Sequence, residues 1–97
     1  MPQYNPPLRD MHFVLHDMLG VTDELKMLPK HADIDTATIN AVLEEGGKFA
    51  AEVIAPLNLS GDEEGCTLDK ATHAVTTPTG YKAAYAKYVD GGWPALS

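Results

Sequence analysis

The chain has 97 residues, with seven basic side chains against fourteen acidic ones and a net charge of −7. That length suits one small domain, able to bury roughly 60–65 % of its unfolded surface. The acidic balance repels phosphate backbones and anionic lipid, which excludes nucleic acid and membrane surfaces as expected partners. Cys66 is the single cysteine, so neither an internal disulfide nor a thiolate cluster can form within one chain. No stretch approaches the ~20 apolar residues of a membrane span. Pro2, Asn5, Pro6, Pro7, Arg9 and Asp10 stand where a secretory signal needs unbroken apolar sequence, and a cytoplasmic location is the expectation.

Residues 1–7 hold three prolines and read as an extended arm, because proline fixes φ and biases its predecessor away from the helix. Met11, Val14, Leu15 and Met18 follow at helical spacing, and Gly20 is the expected stop. Thr22 or Asp23 is placed to cap a short second helix that Pro29 closes. The dominant predicted element covers residues 35–57, with Asp35 or Thr36 as N-cap and an apolar stripe of Ile39, Val42, Leu43, Phe49, Ala50, Val53, Ile54 and Leu57. On its outer faces Glu44 and Lys48 form an i,i+4 pair, Gly46-Gly47 invites a bend or close approach, and Pro56 is expected to end or kink it. Residues 60–76 read as an irregular acidic loop, or at most as a short extended pair between 66–68 and 74–76. Thr77 with Pro78 then opens a last helix over 77–91, whose face carries Tyr81, Ala84, Tyr85, Tyr88 and Val89 and which Gly91 ends. The expected fold is all-α: one small orthogonal helical domain over 1–97 with about four helices, the first behind a leader at 1–20.

Each chemically suggestive group has a plainer reading. His12 and His16 sit four apart, as two metal ligands can, yet no neighbouring glutamate or third ligand follows, and a solvated or hydrogen-bonded face is favoured. Glu44-Glu45 and Glu63-Glu64 lack the contrasting environments that acid–base pairs need. Asp62, Glu63, Glu64 and Asp69 do not repeat the oxygen spacing of a calcium loop. Cys66 and His73 lack any oxyanion-hole signature, and no glycine pattern cradles phosphate. No catalytic, cofactor-binding or metal residue is therefore assigned. Tyr81, Tyr85, Tyr88 and Trp93 are the most suggestive cluster, and Tyr85, Tyr88 and Trp93 are the candidate site residues, with core or interface packing favoured over stacking on a ligand ring.

Four segments in this order, PLRDMHFVLHDML at 7–19, AVLEEGGKFAAEVIAPLN at 41–58, GDEEGC at 61–66 and TPTGYKAAYAKYVDGGW at 77–93, closely resemble the N-terminal helical region of flavin-dependent acyl-CoA dehydrogenases. The leader at 4–19 is similar to that of the larger fatty-acyl or thioether-acyl branch. The resemblance implies an N-terminal helical domain, a central β-barrel-like domain and a C-terminal four-helix bundle, holding FAD and removing hydrogens from the α and β carbons of an acyl-CoA. In that chemistry a glutamate takes the α proton while hydride passes to flavin N5. None of the residues quoted matches the catalytic glutamate or the flavin motifs, so no such role is carried over. FAD and acyl-CoA are expected only in the full-length context of fatty acid metabolism, beyond residue 97. The expected role is a non-catalytic domain or fragment that contacts the remaining dehydrogenase domains, with Tyr85, Tyr88 and Trp93 near an interface or acyl-pocket wall. The alternative is a stand-alone interaction or oligomerisation module, self-associating through exposed apolar helix faces.

Overall fold

The computed structural model describes residues 3–96; the first two residues of the expected arm and Ser97 lie outside them. The described chain is mostly helical with one minimal hairpin, and it forms two compact units, Met1–Ala51 and Glu52–Ser97.

In the first unit the arm leads into α1 (Leu8–His12), which widens into a π-helical turn over Phe13–Met18. The wider turn is closed by the Leu19 amide donating to the Val14 carbonyl at 3.0 Å. Gly20 ends it, as its sequence position predicts, and the chain re-enters a helix at once: α2 spans Val21–Lys26. Neither Thr22 nor Asp23 caps α2, because the Thr22 hydroxyl is turned to the Thr36 hydroxyl, 3.0 Å away. A 3-10 turn at Pro29–His31 leads to α3 (Thr36–Phe49). The N-cap of α3 is Asp35, whose Oδ1 accepts the Thr38 amide at 2.7 Å and so satisfies one of the donors a helix start leaves open.

The leader packs antiparallel on α3, since Leu8 meets Gly47 while His16 meets Asn40. Gly47 is the buried residue of α3, and a β-carbon built there would lie 3.1 Å from Pro6 Cγ and 3.5 Å from Leu8 Cδ2. Of the two mid-helix glycines, this one exchanges helix propensity for close approach of the proline arm. The expected Glu44–Lys48 pair is not the one formed; Lys48 Nζ instead lies 3.7 Å from Glu45 Oε1, and both side chains are exposed. An exposed pair gains little from either spacing, so side-chain entropy leaves the choice nearly free.

Past α3 the backbone forms a second π-helical turn over Ala50–Ile54, and α4 (Ala55–Glu64) resumes with Pro56 in its first turn. The predicted helix end near Leu57 is thus corrected. Proline cannot donate to the carbonyl four residues back and its ring crowds it, but a widened turn before a fresh helix start removes both penalties. Residues 60–64, expected in the loop, complete α4, which stops at Gly65 with φ 68° and ψ −177°. That backbone region is essentially confined to glycine.

Beyond it, β1 (Thr67–Leu68) and β2 (Val75–Thr76) form an antiparallel hairpin, registered Thr67 to Thr76 and Leu68 to Val75. This is the short extended pair, one of the two readings open from sequence. The hairpin turn is held by Asp69, whose Oδ1 accepts the amides of Ala71 at 2.9 Å and Thr72 at 3.3 Å.

The last helix, α5 (Tyr81–Asp90), starts three residues later than a cap at Thr77 would have it, following Gly80 at φ 91°. Thr79 is held in the preceding turn by Glu64, so Pro78 closes a turn instead of opening a helix. Gly91 is the C-cap, as predicted, with its amide donating to Lys87 O. A 3-10 turn at Trp93–Leu96 follows.

Two substitutions test this packing. Gly47→Val should cost about 1–3 kcal/mol through the crowding of Pro6 and Leu8. At Gly61 of α4 an added β-carbon would overlap the Tyr81 hydroxyl, so Gly61→Ala should destabilise despite a propensity gain of about 1 kcal/mol. Thermal unfolding followed by circular dichroism reads both; an unchanged midpoint would contradict the packing described.

Candidate functional site

The second unit carries the most distinctive side-chain arrangement. Residues 57, 58 and 61 share one face of α4 by helical periodicity, with Ile54 at the end of the π-helical turn just before it, and residues 81, 84, 85 and 88 share one face of α5. These faces meet at Gly61, which supplies the space that the Tyr81 ring occupies. The Tyr81 hydroxyl then donates to the Leu57 carbonyl over 3.4 Å, and Ala84 is buried at 5 % exposure. Small residues at the closest points let the helix faces meet, and the tyrosines splay around them.

Between the two faces remains a cavity of about 300 Å³, lined by Ile54, Leu57, Asn58, Tyr81, Ala84, Tyr85 and Tyr88. Such a volume is at the small end of ligand and side-chain pockets. Of the three sequence-predicted site residues, Tyr85 and Tyr88 line it together, their ring centroids 6.1 Å apart and tilted by 34°. Trp93 is placed elsewhere: its indole lies over Gly91, with Nε1 2.9 Å from where a β-carbon there would be. Tyr85 is 68 % exposed, so its ring presents apolar surface to the outside of the unit. Among the other lining residues, Tyr81 was visible in the tyrosine stripe and Ile54 and Leu57 in the apolar stripe of the long helix, whereas Asn58 lies past the predicted end of that helix and needed the length of α4 to be known.

The other groups weighed for chemistry fall apart geometrically or are already engaged. The hairpin register puts Cys66 before the first strand pair, at the open end, and His73 in the turn at the other, so the two cannot act as nucleophile and base. His73 itself holds a left-handed backbone, φ 62°. His16 Nε2 donates to Asn40 Oδ1 at 2.7 Å, while His12 Nε2 is buried without a partner among the described residues. The two imidazoles lie 5.8 Å apart, centroid to centroid. Among the described residues no three His, Cys, Asp or Glu side chains gather as a metal ion would require, and no helix is long and apolar enough to cross a membrane.

The acidic segment has a structural use that sequence reasoning missed. Glu64 accepts the Thr79 amide on Oε2 at 2.7 Å and the Thr79 hydroxyl on Oε1 at 2.8 Å. A carboxylate in the last turn opposes the helix dipole, and this two-pronged capture offsets that cost while tying α4 to the turn before α5. The Thr79 side-chain bond, then its backbone bond, holds the Glu64 carboxyl below the usual carboxylate range. The Ala71 and Thr72 amides do the same for Asp69, and the Thr38 side-chain and backbone bonds for Asp35.

No family model matches the chain. Compared with curated proteins, 94 of its residues, 97 % of the chain, are 39 % identical to the 3-methylmercaptopropionyl-CoA dehydrogenase of Ruegeria pomeroyi. The chain is a relative of an acyl-CoA dehydrogenase. It spans 16 % of that enzyme's length, which is consistent with a fragment of a dehydrogenase. This identity bears out the resemblance to acyl-CoA dehydrogenases read from the four sequence segments and is consistent with an N-terminal fragment.

The lowered carboxylates define a pH response. A carboxyl whose folded pKa is depressed contributes stability that is fully present above its unfolded value, about 4.3 for glutamate, and that is lost as pH falls through the folded value. Helical content should therefore hold above that range and decline on further acidification. In Glu64→Gln the decline should be shallower, because one titrating contact is gone. Acid titrations of the two chains by circular dichroism, if superimposable, would show that the Glu64–Thr79 contact is not linked to folding.

Proposed function

We propose that the chain is the N-terminal helical domain of an acyl-CoA dehydrogenase-like flavoprotein, with a structural role in completing the acyl-CoA site of a longer polypeptide. The observation that carries this reading is the 39 % identity running through 97 % of the chain. In this reading the full-length protein uses FAD to introduce an α,β double bond into an acyl-CoA thioester in the cytoplasm. The relative's 3-methylmercaptopropionyl-CoA is the first substrate to assay. In this reading FAD is held by the remaining domains of the longer polypeptide.

Within that protein the partner of this domain is the remaining dehydrogenase polypeptide, contacted by Tyr85 and Tyr88 at the groove and by Trp93 beyond the end of α5. Aromatic side chains at such a junction supply large contact area with a polar tip at the rim. A second reading, self-association of a stand-alone module, draws support from the exposure of large apolar side chains within each unit, Met18 and Met27 in the first and Tyr85 in the second, since burying such groups against a partner is favourable.

The mass and visible absorbance of the native polypeptide separate the two readings. A mass several times 10.5 kDa with a flavin band supports the dehydrogenase domain; a colourless protein of about 10.5 kDa overturns it in favour of the module. In the full-length enzyme, Tyr85→Ala, Tyr88→Ala and Trp93→Ala combined should lower the thermal midpoint and shift kcat/KM between short and long acyl-CoA substrates. Unchanged stability and chain-length preference would remove these residues from the junction.

A further inference from the structure

No further inference is drawn: the strongest candidate, the apolar groove between α4 and α5 with Tyr85 exposed at its rim, belongs to the site already described, and nothing in the structure shows what else covers it.

Discussion

Pro56 has no amide hydrogen to continue the helix that begins at Thr36, and in an uninterrupted α-helix its ring would crowd the carbonyl of Glu52. The chain meets this constraint by opening a π-helical turn over Ala50–Ile54 and placing the proline in the first turn of α4, where the missing donor costs nothing. The register of α4 follows from that restart. It brings Leu57, Asn58 and Gly61 onto one face, which gives Tyr81 both a space to enter and a carbonyl to meet. The groove, the burial of Ala84 and the display of Tyr85 and Tyr88 all lie downstream of that seat.

What the sequence made legible is what local rules govern. The Asp35 cap, the stops at Gly20 and Gly91, the close approach at the Gly46-Gly47 step and the tyrosine stripe each follow from a residue type within a turn or two of where it acts. What stayed hidden depends on partners distant in sequence. Residues 60–64 look like a loop because the segment is polar and punctuated by glycine; Thr79, fifteen positions from Glu64, supplies a partner that local rules do not reveal. The same contact delays α5, so one long-range bond accounts for two misplaced boundaries. Thr22 is a sound N-cap by local rules but finds a better partner in Thr36.

The site shows a similar division. Tyr81, Tyr85, Tyr88 and Ile54 were readable from helical spacing, whereas Asn58 enters only once α4 is known to run on past residue 57. Trp93 was grouped with the tyrosines by proximity in sequence, but the turn after Gly91 carries its ring back over the helix end instead. The histidine and cysteine pairs failed for geometric reasons: His16 is engaged by Asn40, and the hairpin register separates Cys66 from His73. What remains of the site is apolar and aromatic, a composition suited to packing and shape more than to proton transfer.

At Gly65, a β-carbon would meet nothing within 4 Å. Judged by space alone, the position would accept many side chains, and a contact-based view of tolerance would rank it among the freest in the chain. Its dihedral angles reverse that ranking. The whole veto comes from the residue's own main chain, so a saturation library should return glycine almost alone there. No repacking of surrounding residues could restore a substituted side chain, because no surrounding residue raises the objection.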